Sequence, residues 1–317
     1  MSGFTITAGV SFSGGFTFTE APVENTAAWF GGGGVVGSSV DRITFTTDTA
    51  TASVRGPLSL ARAGLAATGN YTQGWFGGGR FPFYSTVDRI TYATDTATAS
   101  SRGPLSVVRA YLAAAGNTTD GWFAGGGDPT VYRAIVDRIT YATDTATASV
   151  RGSLSAGRYG LASAGNSDYG WFGGGAQNGD PGGLRSTVDR ITYATDTATA
   201  SVRGPLSLAN RTFLAATGNT TDGWFSGWSA VSTVDRITYA NDTATASVRG
   251  PLSAVRAYMA AAGNTTDGWF GGGYTHGGGG QRSIVNRITY ATDTAAASVR
   301  GPLSSANSSM GAAGGIQ

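Results

Sequence analysis

Acid–base and nucleophilic chemistry depends on histidine, cysteine, lysine or paired carboxylates, and this chain of 317 residues is poor in all of them. It has one histidine, no cysteine, no lysine, and two glutamates, Glu20 and Glu24, both ahead of the first Trp-Phe pair. His276 stands beside Gly277 to Gly280 with no second histidine to share a metal, so it reads as a loop residue and no metal site is expected. Most aspartates recur at equivalent positions of a repeat, whereas a catalytic site should break a repeat. Asp128 and Asp180 fall outside it, and they are the candidates for a glycan-cleaving pair, which would need carboxylates about 5–10 Å apart over one pocket. Glycine runs such as Gly31 to Gly34 would suit a phosphate cradle, but a P-loop also needs a lysine, and strand ends account for them. No cofactor is implied, and the expectation is a protein without catalytic residues.

The elements that would position any site repeat around the whole chain. Trp-Phe pairs begin at Trp29, Trp75, Trp122, Trp171, Trp224 and Trp269, and Arg-Ile-Thr triplets at Arg42, Arg89, Arg138, Arg190, Arg236 and Arg287. A period of about 50 residues built from short strands and Gly-rich turns points to propeller blades rather than solenoid turns. Composition agrees: 51 glycines and 13% charged residues suit tight turns and small strand residues, and no helical period is present. A formal net charge of +2, all of its basic residues arginine, is far from the footprint of a nucleic-acid binder. There is no cationic leader followed by an apolar run and no apolar run of membrane-spanning length, so neither a secretory signal nor membrane insertion is expected. Without cysteine, stability must come from packing and sheet hydrogen bonds, and the redox compartment is left open.

Within one repeat four strands can be placed: 65–69 innermost, where only small residues fit near the axis, then 74–77, then 87–93, then 98–102 after a turn at 94–97. Residues 103–106 cross to the next blade, Pro104 ending the strand because it has no ladder donor. The last repeat ends on an inner-strand sequence and lacks a Trp-Phe strand, while the first begins at Trp29-Phe30 and lacks an inner strand. The two ends together complete one blade, which predicts six blades and a ring closed by N- and C-terminal strands over residues 27–317. Ahead of it, residues 1–26 alternate apolar and hydroxyl side chains through Phe4, Ile6, Val10, Phe12, Phe16 and Phe18, which reads either as an extra sheet edge or as a β arm for attachment or oligomerisation.

An aromatic pair running into glycines, a variable loop, a strand ending in Tyr with an Asp-x-x-Thr-like turn, and a Pro-x-x-x-Arg-like approach to the next inner strand resemble the kelch repeat across residues 27–315. Two departures stand out: the outer strand has Ala-Ser-Val where kelch repeats carry Trp, and the glycine run often has three members. The resemblance implies a propeller that binds other macromolecules. The VDRITYATDTATASVRGPLS style of the blades is similar to propeller proteins among the structural proteins of marine tailed bacteriophages, which implies a virion location. Thr119-Asp120-Gly121-Trp122 resembles the Asp-box of sialidase propellers only weakly, being contiguous and without a glutamate for the catalytic pair. Asn70, Asn117, Asn219 and Asn264 sit in Asn-x-Thr sequences and read as turn residues before glycan acceptors.

Alternating strand direction puts the loop after each Trp-Phe strand and the crossover after each outer strand on one face. That face carries nearly all the variation. Its loops hold Arg80, Phe81, Phe83, Tyr84, Tyr132, Arg133, Arg185, Trp228, Tyr274, His276 and Arg282, aromatic and arginine side chains typical of binding anchors. Arg62, Arg109, Arg158, Arg211 and Arg256 lead into the inner strands on that side, with Asn307 in the sixth place. They read either as local partners of Asp41-type residues and of carbonyls between blades, or as a ring of guanidinium groups at the channel mouth that attracts anions or a second ring. Arg55 and its equivalents are expected near the same side, and Asp95, Asp120, Asp144, Asp168, Asp222 and Asp267 at turns on the opposite face. The leading expectation is a non-enzymatic virion appendage whose arm binds other virion proteins or itself and whose loops meet a host surface protein, a host glycan or a neighbouring subunit. A carbohydrate-binding, lectin-like ring using Phe81, Phe83, Tyr84, Tyr132, Trp228 and Tyr274 is the alternative, and a glycan-cleaving enzyme a third.

Overall fold

The computed structural model describes residues 26–34, 37–177, 183–209, 211–227, 231–275 and 279–314. The arm residues Phe4, Ile6, Val10, Phe12, Phe16 and Phe18, and also Trp228, His276 and Asp180, lie outside them. The described chain is all-β: six four-stranded antiparallel sheets, arranged as the blades of a propeller. Blade 1 joins both ends of the chain, its strands running from axis to rim as Gly311–Gly314, Ala27–Gly31, Val40–Thr44 and Ser53–Arg55. Register runs from Ala28 opposite Gly314 to Gly31 opposite Gly311. Blades 2 to 6 take their four strands consecutively, apart from short extra pairings within the longer loops. Among the described residues no helix is long and apolar enough to cross a membrane.

The repeated sequence makes the joint between blades. In blade 2 the third strand stops at Thr91, short of the expected Ala93, and Tyr92–Thr94 forms one 3-10 turn before the outer strand Ser100–Arg102. The turn swings Tyr92 and Asp95 across to blade 1. There the Tyr92 ring stacks on Trp29 at 3.8 Å, and the Trp29 indole N–H donates to Asp95 Oδ2 at 2.8 Å. Arg42 donates to that same oxygen at 3.2 Å and Arg55 Nε lies 3.4 Å from it. Arg55-type and Asp95-type residues are therefore partners rather than marks of opposite faces, because the outer strand of one blade reaches the hairpin of the next. Each such stack contributes on the order of 1 kcal/mol beyond the area it buries. The last joint closes the ring, with Trp269 stacking on Phe45 at 4.1 Å and donating to Asp48 at 2.9 Å. An open ring would leave Trp269 and Phe45 in water.

The crossover needs glycine in every blade. A Cβ on Gly103 would lie 1.9 Å from the carbonyl oxygen of Ala146, and Gly56, Gly152, Gly204, Gly250 and Gly301 meet the equivalent carbonyl at 2.0 Å or less. The same residues donate their N–H across the joint, as Gly103 does to the Asp144 carbonyl at 2.8 Å.

Candidate functional site

The five arginines expected at the channel mouth are not displayed there. Arg62, Arg109, Arg158, Arg211 and Arg256 are each at most 1% exposed, so they form no anion-attracting ring. Arg62 lies 2.9 Å from Asp88 and donates to the Phe76 carbonyl at 3.0 Å. Arg109 pairs likewise with Asp137 at 2.9 Å, Arg158 with Asp189 at 2.7 Å, and Arg211 with Asp235 at 3.3 Å. Each guanidinium ties the segment leading into a blade to that blade's third strand, so its charge is spent inside. Arg256 faces Asn286 instead, and three oxygens, Asn286 Oδ1 and the Gly272 and Ile284 carbonyls, solvate it. Burial lowers its pKa to about 10.

What surrounds the axis on the loop face is aromatic. Two residues beyond each of these arginines, and beyond Asn307, stand Gly64, Tyr111, Gly160, Phe213, Tyr258 and Ser309, all with φ between 52° and 69°. Left-handed backbone is unusual for aromatic residues. A chain of hydrogen bonds from blade to blade holds them in it: Tyr111 N–H donates to the Gly64 carbonyl, Gly160 to Tyr111, Tyr258 to Phe213, Ser309 to Tyr258, and Gly64 to Ser309. The conformation turns the side chains over the channel, where Phe213 stacks on Tyr258 at 4.0 Å and meets Tyr111 edge-on at 5.2 Å. Tyr159 joins from the neighbouring position, 5.3 Å from Phe213. Burial pushes the Tyr258 phenol up to about 12 and raises that of Tyr111, so both are neutral hydrogen-bonding groups at pH 7. Beneath this collar the axial space is about 50 Å³, and at the far end it is about 70 Å³ between alanines and glycines, room for little beyond water.

The loops are fastened to this collar. Single bridges join Ala63 to Arg80, Ala110 to Gly127, Ala257 to Tyr274 and Arg282 to Asn307. Beside the collar, over blade 1 and between the longer loops of blades 2 and 6, lies an open cavity of about 320 Å³ walled by Arg80, Phe81, Tyr111, Tyr258, Tyr274 and Gln281, with Gly34, Ser308 and Ser309 at its base. It brings together three of the loop residues singled out from sequence, Arg80, Phe81 and Tyr274. The Arg80 guanidinium lies 4.3 Å from the Phe81 ring centre and 4.7 Å from that of Tyr111.

The other loop residues are placed differently. Phe83 and Tyr84 are half-buried in the blade 2 loop, outside that lining. Tyr132 packs on Tyr159 at 4.1 Å and so extends the collar over blade 3. Arg133 pairs with Asp128, Arg185 donates to Gln177 at 3.1 Å, and Arg282 donates to Thr275 at 3.0 Å. Hydrogen bonds from Thr130 and Arg133 hold the Asp128 carboxyl well below the usual carboxylate range. It is therefore an acceptor without a proton to give, unsuited to act as an acid. The Asn-x-Thr asparagines are turn-formers: Asn117 Oδ1 accepts from the N–H groups of Thr119 and Asp120, and its amide donates to the Ser167 carbonyl of the next blade at 3.3 Å. Sequence reasoning missed Tyr111, Tyr159, Phe213 and Tyr258. Their signal is an aromatic after Arg in a stretch otherwise made of alanine and leucine.

No family model matches the chain, and no curated protein matches it. Among solved structures it is similar to the structure of YjhT, with a TM-score of 0.70 and 13% sequence identity over 88% of this chain and 96% of that one. In all, 531 solved chains match, so the shape is widely used and says little of what any one bearer does. Sheet topology and likeness agree at the level of fold: this chain is a six-bladed β-propeller.

Proposed function

We propose that this chain is a non-catalytic attachment ring of kelch type, carried on the virion of a tailed bacteriophage, with the loop face as its contact surface and residues 1–26 as its anchor to other virion proteins or to itself. One observation carries the binding role: unrelated loops of blades 2 and 6 converge with the collar on one aromatic cavity, while the joints between blades repeat, with Phe45 for Tyr at the closing one. A frame so regular supplies rigidity, and the sequence differences are concentrated where they meet solvent. The non-catalytic reading is supported by Asp128, held as a hydrogen-bond acceptor by Thr130 and Arg133. The phage assignment rests on the style of the repeat. A serum raised against the ring should label purified particles, and removal of residues 1–20 should release it from them. Particles that lack the protein overturn the virion role, and retention of the truncated chain overturns the anchor.

A second reading, a carbohydrate-binding ring, is favoured by the cavity itself. It presents aromatic walls beside amide and hydroxyl groups, in a volume at the low end of small-molecule sites, which run from about 300 to 1,000 Å³.

A further inference from the structure

Arg80 differs from the other arginines of the fold. Among the described residues it has neither a carboxylate partner nor a hydrogen-bond acceptor, whereas Arg256 and Arg282, which pair with no carboxylate there, each donate to oxygens. It is half-buried at the cavity wall, over the Phe81 and Tyr111 rings, and its backbone is fixed to Ala63 by N–H donation at 2.8 Å. Two aromatic faces hold a cation in place without neutralising it, because the ring quadrupole attracts the charge and leaves the N–H edge unfilled. Among the described residues lining the cavity there is no carboxylate, and Arg80 is the charged one. A guanidinium edge matches the two oxygens of a carboxylate or of a sulfate ester. A phosphate dianion would find no second cation among the described lining residues and is not favoured.

We propose that this cavity is a binding site for an acidic saccharide residue, a pyranose bearing a carboxylate or a sulfate ester, with Arg80 taking the anion, Tyr274 and Phe81 the apolar ring face, and Gln281 the hydroxyls. The assignment rests on the carbohydrate reading and narrows it. No further ion is required, since the charge of the ligand is met by a cation already desolvated on one side.

The test uses the full chain and ligand-observed NMR with three probes: a glucuronate-terminated disaccharide, a galactose 6-sulfate disaccharide and the neutral parent disaccharide. The expected result is that an acidic probe binds at least about tenfold more tightly than the neutral one, that high salt removes this preference, and that Arg80→Gln removes it too while the weak neutral binding persists. Tyr274→Ala should weaken every probe. Whichever acidic probe binds more tightly identifies the source of the anion. Both side chains border the open cavity, and an unchanged melting curve checks that the variants fold. Equal binding of neutral and acidic probes, lost in Tyr274→Ala, overturns the acidic assignment and leaves the carbohydrate reading standing. Binding of none of the three overturns both.

Discussion

Arg256 and Asp41 make an unusual residue-scale arrangement. Four blades hold a buried Arg–Asp pair at the foot of the segment leading in, but blade 6 keeps the arginine and has Asn286 for its partner, while blade 1 keeps Asp41 and has Asn307 for its arginine. Asp41 accepts from the Ser304 N–H at 2.9 Å and hydroxyl at 2.6 Å, while Asn307 donates to the Gly32 carbonyl, so in blade 1 Ser304 meets the anion. Arg256 is worse placed, because carbonyl oxygens solvate a buried cation without cancelling its charge. Removing one partner of a buried pair costs about 3–5 kcal/mol, and a part of that is the penalty blade 6 now carries. Asn286→Asp should therefore raise stability, by about 1–3 kcal/mol after the new carboxylate's own desolvation. The urea midpoint at constant m-value measures it, and a midpoint that fails to rise would show that the three oxygens already meet the cation's needs. The sequence displayed both departures, since Asn stands where Asp or Arg stands elsewhere. It did not display that all five guanidinium groups point inward, because Arg at a strand's approach is equally compatible with capping, pairing or exposure.

At the scale of elements, the crossover decides how closely two blades approach. Gly103 donates to Asp144 while its α-carbon faces the Ala146 carbonyl, and no rotamer relieves a clash between a Cβ and backbone. Gly103→Ala should cost more than the roughly 1 kcal/mol expected of glycine replacement in a loop, on the order of 3 kcal/mol, because the joint holding Trp75, Tyr141 and Asp144 must open. Loss of the 3.8 Å Trp75–Tyr141 stack would show as a weakened near-ultraviolet exciton signal, and an unaltered signal with full stability would refute the account. The strands themselves were legible, since Trp-Phe and Arg-Ile-Thr mark them by spacing and small residues mark the inner one. The early stop of the third strand at Thr91 was not, because Tyr92-Ala93 continues the strand-like alternation and only the neighbouring Trp29 shows why the chain turns. The aromatic collar was hidden for a similar reason. Tyr111, Phe213 and Tyr258 lie far apart in the chain and meet only because the ring closes and their backbones turn left-handed. The variable loops were visible as the place of difference, yet which of them share a cavity depends on blade order and loop length. That is why Arg80 and Tyr274 fall together while Arg133 and Arg185 turn to partners inside their own loops.

For the molecule as a whole, the repetition of one joint makes stability respond to pH in a cooperative way. Tyr92, Tyr141, Tyr193, Tyr239 and Tyr290 stack on tryptophans of the preceding blades, and burial raises every one of these phenols above its ordinary value of 10.0. A group whose folded pKa lies above its unfolded one contributes stability that is complete below the unfolded value and is lost as pH rises towards the folded value. Above pH 10 the unfolded chain ionises these phenols while the folded chain keeps them protonated, so each draws the equilibrium towards unfolding by up to about 1.4 kcal/mol per pH unit. Arg256 acts in the opposite direction. With its folded pKa lowered to about 10 from 12.5, the unfolded state binds its proton more tightly, and stability gains between those values. Burial lowers Arg109, Arg158 and Arg211 as well and raises the collar phenols Tyr111, Tyr159 and Tyr258, so four groups oppose eight and the tyrosines prevail. The ring should thus hold a steady urea midpoint from about pH 7 to 9 and lose it steeply beyond about pH 10. Tyr193→Phe keeps the ring stack on Trp122 and removes one ionisable phenol, as Phe45 already does on Trp269. That variant should match the parent near neutral pH and show a shallower alkaline decline. Equal slopes in the two proteins would mean that the joints open before their phenols titrate, and that the blades fail one at a time instead of as a closed wheel.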